Sequence, residues 1–287
     1  AISPLTEFFP NIEICRIDDI YPAGDEVILT YEITGRIVPP GAIPLSVGVT
    51  VVNVETVYNV YRALGGQPVT HKFVTVAGEV ERPVTFCAPI GVTVDEVLKL
   101  AGNITVADPA FIIGGPMMGT LGSRANIVTK TTNAVLVLPS ESPLVKKRMS
   151  KTFIDMKRAM AACCRCSYCT SLCSRNLLGH PIDPSEFMRV ASNGITNDAA
   201  PYFDSMYCSG CGLCEQYSCV QNLSPRTLLA ACKAELRKAG VKPQPFSEAP
   251  VADKNRPLRR VPMSRLISRI GLNGYNKPAP LTDAEPQ

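Results

Sequence analysis

The sequence has no apolar run approaching the roughly 18 residues of a membrane span, so it predicts no transmembrane helix. It also has no tryptophan and only two histidines among its 287 residues. Its charges are unevenly spread: residues 1–150 carry 11 basic and 14 acidic side chains, whereas residues 151–287 carry 18 and 11. A basic half could dock an acidic redox partner, but a merely solvated face explains the same count. We predict no nucleic-acid partner.

Cysteine is abundant instead, with 12 in the chain. Residues 163–173 have the spacing CxxCxxCxxxC, and residues 208–219 repeat it as CxxCxxCxxxxC. Three thiolates at positions i, i+3 and i+6 come from one tight loop, and a distant fourth thiolate completes the cage of a [4Fe-4S] cluster. This is the bacterial ferredoxin pattern, and it predicts two such clusters.

Zinc and disulfides are the alternatives to iron–sulfur clusters. Zinc sites usually present CxxC pairs separated by a dozen or more residues, which differs from a repeated triple. Cysteines three residues apart are poorly placed to pair with one another, and the sequence opens without a signal peptide. We therefore expect a reducing compartment in which thiolates remain available for iron.

The fourth cysteine of each run is assigned by the crossover found in two-cluster ferredoxins, where it ligates the other cluster. The predicted ligands of the first cluster are Cys163, Cys166, Cys169 and Cys219, and those of the second are Cys173, Cys208, Cys211 and Cys214. The proline that commonly follows the fourth cysteine is replaced by Ser174 and Val220, which we interpret as a local change of turn. The remaining cysteines are predicted to be buried spectators: Cys15, Cys87, Cys164 and Cys232.

Residues 1–70 are predicted to be the C-terminal part of an α/β nucleotide-binding domain, because the opening stretch resembles the middle of a domain. Strands are expected at 12–20 and at 45–53, the latter being apolar enough to be covered on both faces. Helices are expected at 25–33 and 54–64. The N-terminus of the second helix is a possible anion site for a flavin phosphate, although Asn53 and Thr56 could be simple capping residues.

Residues 71–138 predict a small α+β domain of the β-grasp kind. Strands are expected at 73–77, 84–88, 111–113 and 134–138, and a capping box at 93–96 opens a helix. The glycine-rich loop at 114–119 lacks the lysine of a phosphate-binding loop, so its methionines are expected to pack.

The rest of the chain is divided into a polar linker (139–150), a helical two-cluster ferredoxin-like domain (151–240) and a Pro-rich, basic extension (241–287). The extension contains a helical stripe of Met263, Leu266, Ile267 and Ile270. This short helix could lie on an anionic membrane, or it could pack against its own protein.

The order of these parts resembles one known family. Tyr21-Pro-Ala-Gly-Asp-Glu26, Asn53-Val-Glu-Thr56, the Gly-Gly-Pro-Met-Met-Gly loop and the two cysteine runs resemble the C subunits of Rnf electron-transport complexes and their relatives, the cobalamin reductases of propanediol-utilisation microcompartments. More distantly, the first two parts are similar to the flavin subunit of respiratory complex I. Stretches at 176–181, 208–215, 223–226 and 236–240 favour the reductases.

The resemblance implies an FMN held by the first domain and reduced by NADH. It places Asn53 and Thr56 near the flavin phosphate, and Tyr21, Asp25 and Glu26 at the flavin or nicotinamide. It also implies an upstream glycine-rich loop that this sequence lacks, so we expect a fragment without the N-terminal part of the family.

The favoured hypothesis is therefore electron transfer within a corrinoid reductase in a bacterial microcompartment, with a corrinoid, a corrinoid-binding enzyme or another iron–sulfur protein of the compartment shell as partner. The alternatives are an Rnf-type subunit, peripheral on the cytoplasmic face of the inner membrane, and an electron-wire module without its own substrate site. No residue is predicted to act as a general acid or base.

Overall fold

The computed structural model describes residues 11–276, so the predicted parts at 1–10 and 277–287 lie outside it. The N-terminal part contains strand β1 (Ile20–Tyr21) and helices α1 (Glu26–Thr34) and α2 (Val54–Leu64). The Asp25 side chain caps α1 by accepting hydrogen bonds from two backbone amides, and Gly35 ends the helix at φ 70°. Both predicted helices are thus present, with the expected cap and stop signals.

The two strands predicted in this part are wrong. In the first, only Ile20 of residues 12–20 is in a strand. In the second, Pro44–Val47 form a 3₁₀ turn and residues 48–53 form no strand. A strand covered on both faces needs neighbouring strands, and none of those described within residues 11–276 pairs with this segment.

Residues 71–139 form a five-stranded mixed sheet with one helix. The strands are β2 (His71–Gly78), β3 (Val84–Pro89), β4 (Pro109–Ile113), β5 (Thr120–Gly122) and β6 (Ala134–Pro139), and the helix is α3 (Val94–Leu100). The order across the sheet is β3-β2-β6-β4-β5, with β2 and β6 parallel and the other pairs antiparallel. This is the arrangement expected of a β-grasp domain.

Helix α3 covers one face of that sheet. The predicted capping box is formed: the amide of Glu96 donates to the Thr93 hydroxyl, and the Glu96 carboxylate accepts from the Thr93 amide. Val94, Val97 and Leu98 then bury against the sheet. A buried aliphatic side chain of this size contributes about 1.5–3 kcal/mol.

The segment predicted as a polar linker instead contains helix α4 (Pro143–Met149), which begins at the Ser142 N-cap. Its Leu144 and Val145 are fully buried in a core shared with Ile112 of the sheet and Leu213 of the second cysteine loop. The β-grasp domain and the cysteine-rich part are therefore packed together rather than loosely joined.

The cysteine-rich part is helical, as predicted. Its helices are α5 (Thr152–Ala162), α6 (Tyr168–Ser171), α7 (Pro184–Ser192), α8 (Ala200–Asp204) and α9 (Pro225–Lys238), with 3₁₀ turns at Asn176–Leu178 and Ser205–Tyr207. The core between them contains Phe187, Leu228 and Leu229. Five of the cysteines pack against this core, one of them within α9 and the other four in the two cysteine loops, which the core therefore stabilises: Cys232, Cys163, Cys173, Cys208 and Cys219.

The C-terminal extension returns to the body of the protein. A 3₁₀ turn (Arg256–Leu258) leads to strand β7 (Val261–Pro262), which pairs antiparallel with β1, and α10 (Met263–Arg269) follows before a last turn at Asn273–Tyr275. Leu266 and Ile270 are buried in the same core as Leu213. The apolar stripe of this helix therefore packs on its own protein, which leaves it unavailable to a membrane.

Candidate iron–sulfur centres

The first cysteine loop begins where α5 ends. Cys163 is the C-cap of that helix, and α6 carries Cys169. Between them, Arg165 and Ser167 have positive φ angles of 54° and 60°, which turn the loop back on itself. A cavity opens at the loop, and the thiol-bearing residues that line it are Cys163, Cys164, Cys166, Cys169 and Cys219.

The second cysteine loop has the same backbone design. Cys208 follows a 3₁₀ turn, and Gly210 and Gly212 occupy the positive-φ positions, at 74° and 85°. Cys214 begins a π-helical turn, Cys214–Ser218. A second cavity is lined by Cys173, Cys208, Cys211 and Cys214, so each cavity contains the four cysteines predicted for one cluster.

Two short helical segments produce the crossover between the cavities. The π-helical turn leads from Cys214 at one cavity to Cys219 at the other, and helix α6 separates Cys169 from Cys173 in the same way. This placement fits the predicted exchange of fourth ligands.

Thiolates and backbone N–H donors to sulfur are the groups with which proteins bind a [4Fe-4S] cluster. Within residues 11–276, no group of three or more His, Cys, Asp and Glu side chains is arranged to hold a single metal ion. Backbone N–H groups donate to two of the sulfurs, from Gly210 to Cys208 at 3.3 Å and from Leu223 to Cys219 at 3.2 Å.

The thiols of the second cavity are more deeply buried than most of those in the first. Burial raises the pKa of Cys173 to about 12 and raises the pKa of Cys214 well above its ordinary value. In the first loop, Cys166 is exposed to solvent, although burial raises the pKa of Cys169 to about 12. Metal ions displace protons from such thiols when they bind.

Two half-buried lysines contact the second cysteine run. The Lys147 ammonium of α4 donates to the carbonyl of Glu215, next to Cys214, at 2.7 Å and to the side chain of Asn222, beyond Cys219, at 2.9 Å. Lys233 donates to the Cys208 carbonyl at 2.8 Å. These cations oppose the negative charge that four thiolates and a reduced cluster would bring, although burial lowers the pKa of both lysines.

Tyr21 and Asp25, predicted to lie at the flavin or nicotinamide, contact the second cysteine loop. The Tyr21 hydroxyl donates to the Cys211 carbonyl at 2.7 Å. The Asp25 carboxylate forms an ion pair with Arg175 at 2.9 Å, two residues beyond Cys173. Glu26 is exposed in the first turn of α1. The N-terminal part therefore meets the second cavity directly.

Asn53 and Thr56 lie elsewhere, in a cleft of about 550 Å³ between α2 and the β-grasp domain. The Asn53 side chain caps α2 by accepting from the Glu55 amide at 2.9 Å, and the Thr56 side chain is exposed. Neither Tyr21 nor Asp25 lines this cleft. The helix N-terminus suits a phosphate, but the cleft does not gather the five predicted flavin residues into one pocket.

Several residues that hold the two parts together were not predicted. His180 is buried, and its Nε2–H donates to the Val38 carbonyl at 3.0 Å; its pKa is lowered to about 4 by burial and by the charge of Arg175. Arg148 donates to the Gly119 carbonyl at 2.9 Å and also to that of Pro116, so it fixes the glycine-rich loop. These contacts join residues far apart in sequence, and no local pattern could have indicated them.

The predictions for the methionines of the glycine-rich loop and for the four non-ligand cysteines have different outcomes. In the glycine-rich loop Met117 packs, as expected, in the core beside Leu213, whereas Met118 is exposed. The prediction of buried spectator cysteines is wrong for Cys15, Cys87 and Cys164, which are exposed, while Cys232 is half-buried outside both cavities. Apolar neighbours in sequence do not guarantee burial when the segment lies at the surface.

Comparisons with known proteins match each part of the chain. Models of the Nuo51 FMN-binding domain, the SLBB domain and the 4Fe-4S dicluster domain match residues 3–62, 73–121 and 162–224. Two proteins named cobalamin reductase PduS, from Salmonella typhimurium and Citrobacter freundii, are 42% and 40% identical over 100% and 99% of the chain. The chain is similar to these cobalamin reductases along its whole length. The family resemblance predicted from the sequence is thus confirmed.

Other matches are weaker. One protein of the ion-translocating oxidoreductase complex of Klebsiella pneumoniae is 37% identical over 58% of the chain and 21% of its own length. A solved NAD⁺-reducing [NiFe]-hydrogenase structure is 20% identical and covers 91% of this chain and 47% of its own, with a TM-score of 0.38. The chain spans 64% and 63% of the length of the two cobalamin reductases. No helix within residues 11–276 is long and apolar enough to cross a membrane.

Proposed function

We propose that this chain passes electrons singly through two [4Fe-4S] clusters, as the electron-transfer part of an NADH- and FMN-dependent cobalamin reductase. The observation that carries the proposal is the pair of cysteine-lined cavities joined by Cys214–Ser218. The match of the whole chain to 64% and 63% of the length of two cobalamin reductases supports the same function. Each cluster, when bound, accepts and releases one electron at a time.

In the proposed ligand sets, each cluster is bound by three cysteines of one run and by the fourth cysteine of the other run. The first set is Cys163, Cys166, Cys169 and Cys219, and the second is Cys173, Cys208, Cys211 and Cys214. The chain's contribution is to fix these thiols on a shared helical core, to donate N–H groups to sulfur and to place half-buried cations nearby.

The order of the two sites follows from their surroundings. The second cavity is in contact with the N-terminal part through Tyr21 and through the Asp25–Arg175 ion pair. The first cavity is bordered by exposed residues, among them Cys164, Arg165 and Cys166. Electrons from the flavin-bearing domain would therefore enter at the second site and leave from the first.

The proposed acceptor is a corrinoid, free or bound to its enzyme, and the proposed location is a bacterial microcompartment. The support for the acceptor is the name of the relatives and their higher identity over the whole chain. The Rnf-type alternative rests on a partial match of 58% of the chain. The burial of the α10 stripe removes one membrane-facing surface that this alternative would use.

Anaerobic reconstitution with iron and sulfide tests the proposal. We expect about eight irons per chain and two reduced-cluster signals after treatment with dithionite. Iron-free or zinc-loaded protein would contradict it. Reduction of the clusters by NADH with added FMN separates an enzyme from an electron-wire module, since the wire requires dithionite. Reduction of cob(III)alamin, measured beside co-sedimentation with membranes, separates the reductase from the Rnf-type protein.

A further inference from the structure

A continuous surface surrounds the first cysteine cavity, and it combines exposed apolar side chains with positive charge. We propose that this surface, hereafter the exit face, docks a small acidic protein that carries one electron. The inference rests on the proposed function, because it assigns a carrier protein to the site from which electrons would leave, and this carrier would pass them on to the proposed corrinoid acceptor.

The apolar component of the exit face begins on α5. Phe153, Lys157 and Met160 follow one another at i, i+4 and i+7, so they form one stripe that runs toward Cys164. Phe153 and Met160 are 69% and 64% exposed. The opposite stripe of the helix, which includes Asp155 and Ala159, is buried in the protein. The outward face of α5 therefore presents two exposed apolar side chains and the Lys157 ammonium, which lies 4.5 Å from the centre of the Phe153 ring, beside the cavity.

Two further apolar side chains continue the exit face across the cavity. Tyr168 follows the first loop and Val220 follows Cys219, and both are more than half exposed. Val220 lines the cavity itself. Helix α5 spans about 16 Å, so helix and loops together offer an extended face rather than a pocket. A face of this kind suits a weak encounter with another protein, as in many redox complexes.

The charge of the exit face has one sign. Four exposed cations lie on the first cysteine loop or on α5 and its N-cap: Lys151, Lys157, Arg158 and Arg165. The only carboxylate in residues 151–168 is that of Asp155, which is 1% exposed and hydrogen-bonded to the hydroxyls of Ser150 and Ser224. Glu186, on the neighbouring α7, is paired with Arg189. An acidic partner would therefore be attracted, and its approach would depend on ionic strength.

Arg165 supplies an independent argument. Its φ is 54°, a backbone angle that residues other than glycine rarely adopt. The matching position of the second loop is Gly210, at φ 74°. Nothing in the backbone of the first loop requires arginine there. Backbone strain retained at an exposed site is a recognised sign of function, and here it presents a cation beside the cavity.

The test uses one haem protein in two charge states. Reconstituted chain is reduced with dithionite, excess reductant is removed, and each reduced cluster then gives one electron to one ferric haem, which becomes ferrous. Native cytochrome c is basic, whereas succinylated cytochrome c carries carboxylates in place of its lysine ammonium groups. We expect the succinylated form to react at least tenfold faster at low salt, and this advantage to shrink as salt is added.

Charge-changing variants locate the effect. Lys157→Glu and Arg165→Gly should each slow the reaction with succinylated cytochrome c severalfold. Lys242→Glu, which lies beyond the C-terminal end of α9 and changes the charge by as much as Lys157→Glu, should leave the rate unchanged. Arg165→Gly also keeps the loop conformation that its φ requires, so it tests the charge without a loss of folding. Iron content and circular dichroism confirm that each variant retains its clusters.

Three results would overturn the inference: equal rates for the two cytochromes, equal effects of Lys157→Glu and Lys242→Glu, or binding to phosphatidylglycerol vesicles that Lys157→Glu abolishes while electron transfer is unaffected. The last would assign the face to a lipid surface. Ferricyanide, as a small oxidant, separates the two levels of the argument. Clusters that bleach with ferricyanide but show no charge preference contradict the exit face alone, whereas absent clusters contradict the proposed function.

Discussion

The two cysteine loops have the same backbone and different surroundings. Each turns through two residues at positive φ, placed two residues after its first cysteine and one after its second. The second loop uses Gly210 and Gly212, and the first uses Arg165 and Ser167. The spacing of the ligands therefore determines the shape of a loop, while its surroundings determine which residues can adopt that shape.

Packing explains the glycine at position 212 of the second loop, whereas a Cβ on Gly210 would meet no other atom within 4 Å. A Cβ on Gly212 would lie 3.1 Å from the carbonyl oxygen of Met117, in the glycine-rich loop of the β-grasp domain. The second loop is thus closed in by the β-grasp domain on one side and by Tyr21 on another. The first loop lies open at the surface, where a side chain meets solvent. This difference supports the proposed order of the two clusters.

The largest expected effect comes from replacing the fourth ligand of each cluster by serine. Cys219→Ser should remove the first cluster and Cys173→Ser the second, each leaving about half of the iron, because each serine takes one thiolate from a single cage. Electron paramagnetic resonance of the reduced protein identifies which signal is lost. Cys232→Ser is the matched control, since Cys232 lies outside both cavities, and it should spare both signals. If it costs as much iron as Cys219→Ser, the ligand sets are wrong.

The second effect concerns the left-handed positions. Gly212→Ala should destabilise the protein by about 1–3 kcal/mol, because alanine is strained at φ 85° and its Cβ crowds the Met117 carbonyl. Ser167→Ala at the matching position should change the free energy of unfolding by less than about 0.5 kcal/mol, because a side chain already occupies it. Anaerobic denaturant unfolding of the reconstituted protein measures both. Equal costs would show that the two loops are packed alike.

Much of this arrangement could be predicted from the sequence, because its signals are local. The capping box at Thr93, the glycine after α1 and the cysteine spacing each involve residues within a few positions of one another. The strand expected at 45–53 was wrong because burial depends on neighbours that a local pattern cannot show. Helix α4 was missed because its basic residues and Pro143 are also typical of a linker, although the proline occupies N1.

At the candidate site too, local features were predicted from the sequence and long-range contacts were not. The eight thiols were identified from their spacing, their grouping followed from the crossover found in two-cluster ferredoxins, and the cavities contain those two sets. The contacts that orient the sites were not predicted, because Arg175 meets Asp25 across 150 residues and Lys147 meets Glu215 across 68. Pairings of that range depend on how whole domains pack. The predicted flavin residues were divided between two places for the same reason.

The third effect is a pH dependence of stability that comes from His180. The hydrogen bond from His180 to the Val38 carbonyl joins the cysteine-rich part to the N-terminal part, and the charges near the His180 ring are those of Arg175 and Asp25. Its folded pKa of about 4 is below the unfolded value of about 6.5, so the unfolded chain gains a proton first. The stability from neutral His180 is complete above pH 6.5 and is lost as the pH falls toward 4.

Between pH 7.5 and 5.5 this loss should be about 1 kcal/mol. His180→Gln keeps an N–H donor but does not titrate, so its free energy of unfolding should vary less with pH by that amount, whatever its absolute stability. The difference in slope between the two proteins isolates His180 from the carboxylates, which are common to both. Parallel slopes would show that His180 titrates alike in the folded and unfolded chains.

The smallest effect compares the reduction potentials of the two clusters. Lys147 donates to Glu215, next to Cys214 of the second set, and to Asn222, which follows Cys219 of the first set. Lys233 donates only to the carbonyl of Cys208, in the second loop. A nearby cation stabilises the reduced, more negative cluster, so its removal lowers the potential. Lys147→Met should therefore lower both potentials, by on the order of 1 kcal/mol or roughly 40 mV for one electron.

Lys233→Met should lower only the potential of the second cluster, and Lys147→Arg should restore values near those of the unchanged protein because it retains the charge. Redox titration followed by electron paramagnetic resonance resolves the two signals. If Lys147→Met moves one potential only, the ammonium acts on a single cage and the crossover is not its point of influence. Because both lysines are half-buried and both donate to main-chain carbonyls, a difference between their variants measures position rather than solvent exposure.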